Sequence, residues 1–392
     1  MSLMSEYINK GFTASDYEQE LLRLIREYNK IRNSYLFVYS TCMNKQIPAA
    51  QLEQSDFYII RDMLSNCNCK RLDVYIETPG GRGETAEEIV RYLRSKFDYV
   101  SFVVSGEAKS AGTIIVLSGN EILMTETGSL GPIDAQLKIG RSVISAYDYV
   151  EWVKHKAKEA AETRTLNPFD AAVIAQITPG ELEGVNNALD FAKDLVVEWL
   201  VKYKFANWNE TKKRKIKVTD EMKMDTAQNI AKELINHTRW RSHGRSLKID
   251  DLMEIGLDIV KIDDDPILSD IVYRIQTVCS LLFESSTVFK IFATQENKIF
   301  RQAVTNIKTS NNIPQGLLPI ANIEPSCPKC GKKHKIYAKF TNDKSIDVDM
   351  KKNGYIPFPK DGKIICDCGF MIDLTGIRNQ IELQIGKKIL FE

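Results

Sequence analysis

Between residues 72 and 117 the hydrophobic period of the chain switches from strand to helix and back, and that alternation leaves few folds open. Leu72, Val74 and Ile76 recur at every second position, the mark of a strand. From Glu84 the period lengthens, so that Ala86, Ile89, Val90, Leu93 and Phe97 share one helix face, and residues 99 to 104 read as the next strand. A strand, a helix and a strand in this order make a βαβ unit, whose right-handed crossover sets the two strands parallel. The turn after each strand then opens on one sheet edge, the carboxyl edge where α/β proteins hold their ligands.

Two unusual turns fall on that edge. After the first strand comes Thr78-Pro79-Gly80-Gly81, and two glycines in a row expose backbone N–H groups that no side chain shields. After the second comes Glu107-Ala108-Lys109-Ser110-Ala111-Gly112-Thr113, which sets a lone serine among small residues between an apolar strand and an apolar helix. A hydroxyl facing paired N–H donors is the minimum equipment for acyl transfer. In that reading Ser110 is the nucleophile, and the N–H groups of Gly81, Gly80 and Ala111 hold the oxyanion. Such donors are worth about 3 kcal/mol each where measured in other proteases. The start of a helix also favours the negative charge that develops nearby. Either turn alone is explained by a tight strand-helix connection that wants small residues; their pairing on one edge favours chemistry.

Thr78-Pro79-Gly80-Gly81, Ser110-Ala111-Gly112 and Gly128-Ser129-Leu130-Gly131-Pro132-Ile133-Asp134 resemble the motifs of the serine dehydrogenase proteinase family, within the signal peptide peptidase A group and the wider Clp protease/crotonase fold. His243-Gly244-Arg245-Ser246, followed by Leu252 to Leu257, is similar to the segment that closes this core, so the resemblance covers residues 35 to 262. It implies an α/β fold, a Clp protease/crotonase-like spiral of βαβ units with helical extensions, and a serine endopeptidase that acts on peptides or proteins. It also implies a homo-oligomer, since such folds usually form rings or stacked multimers. Clp-type enzymes take a histidine from just past the nucleophile, but residues 128 to 136 contain none. Signal peptide peptidase A enzymes use a lysine instead, and Lys154, Lys156 and Lys158 lie at the matching distance. The Lys156-Ala157 pair fits the family signature, which makes Lys156 the expected general base of a Ser-Lys dyad and Lys154 the second choice. A base must be uncharged, and burial is what lowers a lysine pKa far enough. On a helix over 146 to 161, Ala146, Val150, Val153, Ala157, Ala160 and Ala161 form the expected core face, with Lys154 and Lys156 flanking it and His155 pointing away. Solvated lysines on an exposed helix are the plain alternative.

Composition narrows the class further. The net charge is +1, so no bulk attraction draws the chain to nucleic acid or to an acidic membrane. No apolar run is seen that reaches the roughly eighteen residues of a membrane span, and the first residues show no signal-peptide core. A cytoplasmic protein is expected. Of eight cysteines, Cys42, Cys67, Cys69 and Cys279 form no framework and read as reduced thiols. Cys327-Pro328-Lys329-Cys330-Gly331 and Cys366-Asp367-Cys368-Gly369 are close pairs followed by glycine, the spacing of knuckle turns that aim four thiolates at one tetrahedral Zn2+. Four thiolates leave no open coordination position, so this zinc is structural. A C-x-x-C pair also serves redox chemistry elsewhere, and His334 is an alternative ligand. The lysines at 329, 332, 333 and 335, like the basic run at 212 to 217, read as solvated loops.

These landmarks divide the chain into an N-terminal helical segment (1–33), a peptidase core (34–262), a helical extension and linker (263–316) and a zinc ribbon (317–392). Residues 15 to 32 form the leading helix with Leu21, Leu22, Ile25 and Tyr28 on one side, 267 to 292 an apolar helix, and 311 to 316 the linker. Two other functions fit the same features. One is a crotonase-like acyl-thioester enzyme using the oxyanion site; the other is a non-catalytic scaffold whose ribbon binds a partner.

Overall fold

The computed structural model describes residues 2–45, 47–139, 142–211, 215–303, 320–385 and 387–391. The expected linker at 311 to 316 and the residues Lys212, Lys213 and Arg214 lie outside the described residues. The chain forms two compact units, one of Met1–Lys10, Tyr17–Phe283 and Val288–Gln302, the other of Gly11–Asp16, Glu284–Thr287 and Ala303–Glu392.

The first unit begins with α1 (Leu3–Asn9), α2 (Ala14–Arg32), β1 (Tyr35–Thr41), α3 (Gln54–Leu64) and β2 (Arg71–Glu77). Next come α4 (Gly83–Lys96), β3 (Tyr99–Val104), β4 (Glu107–Ala108), α5 (Ala111–Leu117), β5 (Glu121–Met124) and β6 (Ser129–Leu130). The hairpin of β7 (Gln136–Ile139) and β8 (Ser142–Ser145) leads into α6 (Ala146–Thr163), α7 (Pro168–Ile174) and α8 (Pro179–Trp199). Then α9 (Asp220–Ile235), α10 (His237–Trp240), α11 (Ile249–Glu254), β9 (Val260–Lys261), α12 (Pro266–Ser285), β10 (Val288–Ala293) and β11 (Lys298–Gln302) complete it.

Seven of these strands form the central sheet in the order β11-β10-β1-β2-β3-β5-β9. The run from β1 to β9 is parallel throughout, as the βαβ pattern requires. Leu72, Val74 and Ile76 join Ile89, Val90 and Leu93 of α4 in one apolar cluster. Side chains alternate across a strand, so Asp73 turns to the opposite face. There the Tyr28 hydroxyl of α2 donates to it over 2.8 Å. The buried side of α2 is Tyr17, Leu21, Leu24, Ile25 and Tyr28, with Leu24 in the place expected of Leu22.

Two expectations change. The apolar helix does not run to residue 292: it stops at Ser285, and Val288–Ala293 returns as a fully buried strand paired antiparallel with β1. Its valine, isoleucine and phenylalanines suit a pleated surface, and pairing covers what would otherwise be the open edge of β1. By length and composition α12 is also the one helix among the described residues that would cross a bilayer. That revises the absence of any such run, although Leu268, Ile271, Val272, Ile275 and Val278 are buried inside the unit.

The second unit has its own apolar cluster, which includes Ile323, Ile336, Ala338, Phe358, Leu374 and Ile381. Strands β12 (Ile320–Ile323), β13 (Ile336–Lys339) and β14 (Ile356–Pro357) form one sheet, and β15 (Lys363–Ile365) and β16 (Met371–Asp373) a hairpin. Helices α13 (Lys344–Lys352) and α14 (Thr375–Ile385) complete it. One cysteine pair sits on the turn between β12 and β13, the other at the tip of the hairpin. Cys327, Cys330, Cys366 and Cys368 bring their four sulfurs within 4.8 Å of one another.

Candidate active site

The two turns meet as the parallel topology demands. Thr78 N donates to Glu107 O over 2.8 Å and Lys109 N to Thr78 O over 3.0 Å, so the segments after β2 and β3 run side by side. A second, short ladder crosses this edge: Ala108 pairs with Thr78 and with Leu130, and Leu130 pairs with Leu247.

Ser110 occupies the turn between β4 and α5 with φ 50° and ψ −119°. A side-chain residue held there costs on the order of 1–3 kcal/mol and persists only when its surroundings enforce it. Among the described residues Ser110 Oγ has no hydrogen-bond partner, and the N–H groups of Gly81 and Ala111 have no protein acceptor. Gly80 explains how the turns approach. Its φ is 90°, and a Cβ there would lie 2.6 Å from Lys109 O, 2.7 Å from Ser110 Cβ and 3.1 Å from Ala111 N. Gly81 in turn rests on Leu52, whose backbone nitrogen would stand 2.5 Å from an added Cβ. Leu52 N donates to Gly80 O (2.7 Å) and Arg82 N to Leu52 O (3.2 Å), which fixes the glycine turn from behind. The Gly80 N–H is already given to Thr78 Oγ1 at 3.2 Å, leaving Gly81 and Ala111 as the free donors.

The lysines differ sharply. Lys156 is expected to be an uncharged amine, and in this conformation it is not. Its Nζ lies 2.7 Å from Asp170 Oδ2 of α7 and 2.9 Å from Glu159 Oε2. The hydrogen bond to Asp170 is the main cause that raises its pKa, followed by that to Glu159. The expected apolar face of α6 is also only partly used: Ala146 and Val150 are buried, whereas Ala157 and Ala161 are exposed. Lys154 is largely exposed and pairs with Glu151 at 3.0 Å, Lys158 is exposed beside Glu162, and His155 faces outward as expected.

Sequence reasoning passed over Lys109. Its side chain is buried, and its Nζ donates to Ser246 Oγ at 2.8 Å, with Arg245 O, Ser129 Oγ and Leu130 O at 3.3 to 3.4 Å. Burial lowers its pKa, against the pull of Glu107 at 3.7 Å. Its ligands come from residues 129–130 and 245–246, too far along the chain for any local pattern to announce them. Lys109 thereby ties the serine turn to both neighbouring segments. Glu77, which ends β2, is a second such group: burial, reinforced by the charge of Glu107, raises its carboxyl to about 7 although Ser40 donates to it at 3.0 Å.

Residues 47–198 match the family described as ClpP-like SDH-type serine proteinase. The matched stretch contains both turns, Gly80-Gly81 and Ser110. The SDH-type core is a serine peptidase with the ClpP-like fold, in agreement with the motifs around Gly80 and Ser110. Two curated relatives are uncharacterized proteins of Methanocaldococcus jannaschii. MJ0137 is 25% identical over 248 residues, covering 61% of this chain and 72% of that protein. MJ1495 is 26% identical over 192 residues, covering 48% of this chain and 51% of that protein. Among solved structures, a serine-to-alanine variant of the 1510-N membrane-bound stomatin-specific protease aligns with TM-score 0.31 and 15% identity, over 55% of this chain and 77% of that one. A lysine-to-alanine variant of it, in complex with a substrate peptide, gives 0.32 and 16%, over 64% and 82%.

In the second unit the donor set can be tested against the expected ion. Four thiolates at about 2.3 Å from a tetrahedral Zn2+ stand about 3.8 Å apart. Cys327 Sγ to Cys368 Sγ is 3.6 Å and Cys330 Sγ to Cys366 Sγ is 3.5 Å. The four cysteines are thus close enough to hold a metal ion, and His334 is outside the set.

Proposed function

We propose that the chain hydrolyses peptide bonds through an acyl-enzyme on Ser110. The Ser110 oxygen attacks the scissile carbonyl carbon, and its proton passes to a lysine amine. The N–H groups of Gly81 and Ala111 receive the oxyanion, and the leaving amine takes the proton as the C–N bond breaks. Water then releases the acyl group by the same route. What carries the reading is the strained Ser110 turn pressed against Gly80 with both flanking amides free.

Lys156 remains the proposed base, and for that role its amine has to leave Asp170 and lose its proton when substrate or a second subunit completes the site. Lys109 is the second reading, favoured by burial that already lowers its pKa. A fluorophosphonate probe decides: Ser110→Ala abolishes labelling, and Lys156→Ala slows it at least 100-fold if the dyad is right. Loss of labelling in Lys109→Met with Lys156→Ala unaffected would move the base to Lys109. Labelling at full rate in Ser110→Ala would refute the nucleophile, and turnover of an acyl-CoA by that variant would favour the acyl-thioester alternative.

The reading includes a structural Zn2+ on Cys327, Cys330, Cys366 and Cys368, supported by the sulfur spacing. Homo-oligomeric assembly and a cytoplasmic site of action belong to the same proposal, on the strength of the family resemblance and the cysteine usage.

A further inference from the structure

We infer that the cleft beside α6 and α10 is a subsite for a basic side chain of the peptide substrate. The inference rests on the peptidase reading and adds the kind of residue recognised. The cleft holds about 480 Å3, and its walls include Gln136, Asp148, Tyr149, Trp152, His237 and His243.

Two of the four histidines in the chain are fixed here in the same way. His237 Nδ1 lies 2.7 Å from Asp148 Oδ2, and His243 Nδ1 lies 2.8 Å from Asp134 Oδ1. Asp134 is fully buried, and its other oxygen accepts from Gln136 Nε2 at 3.0 Å. An ionised carboxylate only accepts, so each Nδ1 carries the shared hydrogen, and Nε2 is the remaining polar atom of each ring. Among the described residues, the cleft's lining includes no lysine or arginine. Two aspartates contribute −2 and two imidazoles between 0 and +2, so the sum runs from −2 to 0 and never favours an anion. Trp152 and Tyr149 add aromatic rings, which attract a cation over their faces.

The position fits a substrate subsite. Leu130 and Leu247 are antiparallel partners beside the serine turn. Asp134 lies four residues after the first and His243 four before the second, so the cleft continues the same pair of segments. Four residues reach at most about 14 Å, so an extended peptide crossing Ser110 presents a side chain to the cleft a few residues from the scissile bond. A metal ion fits less well, because among the described residues only the four cysteines gather three or more ligand atoms.

The test uses the full-length Ser110→Ala protein, which lacks only the nucleophile. Fluorescent ten-residue peptides carry Lys, Met or Glu at one varied position, and Kd is measured for each. The expected result is one position at which Lys binds at least 10-fold tighter than Met and Glu no tighter than Met. In Ser110→Ala/Asp148→Asn/His237→Gln that ratio falls to within 2-fold while the Met peptide binds as before; Ser110→Ala/Trp152→Ala, which keeps both ion pairs, lowers it partially. Equal affinities at every position, or a ratio untouched by both variants, overturns the subsite. Zn2+ binding beyond the cysteine-held equivalent, lost in His237→Gln/His243→Gln, would give the cleft to a metal and overturn it as well. Failure of the peptidase reading is seen separately, as wild-type protein that no fluorophosphonate labels although the Lys preference is present.

Discussion

Replacing Lys290 should disable the oxyanion site from behind. Lys290 and Asp56 are both fully buried, with Nζ 2.7 Å from Asp56 Oδ2 and 2.8 Å from Gln51 O. Asp56 Oδ2 also accepts from Glu53 N at 3.0 Å. The pair therefore grips Leu52 from both sides, and Leu52 is the residue whose backbone holds Gly80 and Arg82. Lys290→Met leaves the buried Asp56 carboxylate with the Tyr39 hydroxyl at 3.1 Å and Arg301 at 3.6 Å; loss of the close partner of a buried pair costs about 3–5 kcal/mol, and the melting point of the core falls by on the order of 10 °C. Lys290→Met/Asp56→Leu removes both charges, so most of that loss returns. The hydrogen bonds to Gln51 O and Glu53 N do not return. The glycine turn is then looser, and since loss of one oxyanion donor costs about 100- to 1,000-fold, partial misplacement is expected to slow Ser110 labelling by roughly 10- to 100-fold. The assay pairs a thermal melt with the second-order rate constant for fluorophosphonate labelling, both on one preparation. A stable double variant that labels at the wild-type rate would refute the buttress.

Three further outcomes follow from the geometry. Gly80→Ala sets a Cβ against the immovable carbonyl of Lys109 at positive φ, so it is expected to destabilise the core by about 1–3 kcal/mol and to end labelling, measured by urea unfolding and probe. Glu77 titrates at about 7 in the folded chain against an ordinary 4.5. The folded state thus binds the extra proton between those values, and stability falls as pH rises through that window, by about 1–3 kcal/mol in all. Glu77→Gln should flatten the stability curve there and exceed wild type at pH 8; an unchanged slope would count against the buried carboxyl. Elemental analysis should find about one Zn2+ per chain, and Cys366→Ser or a strong chelator should release it and open residues 320–391 to proteolysis.

Local chemistry made much of this protein legible in its sequence. Hydrophobic period marked β2, α4 and β3, and handedness then required their turns to share an edge, because a crossover helix packs back onto a twisted sheet in only one sense. Gly80, Ser110 and the paired cysteines declared themselves through residue type alone, since few side chains tolerate a tight turn or seek a soft metal. The strand Val288–Ala293 was hidden by the apolar helix before it, as a short buried apolar run carries no period that separates helix from strand.

Tertiary structure alone decided the charges. Lys109 and Lys156 look alike in the sequence, yet one loses water among hydroxyls and carbonyls from distant segments while the other is gripped by Asp170 and Glu159. A lysine pKa depends on what surrounds its nitrogen, and those surroundings arrive from residues that only folding brings near. The same holds for Lys290 and Asp56, buried together from opposite ends of the core, and for the two histidines that share a cleft with their aspartates.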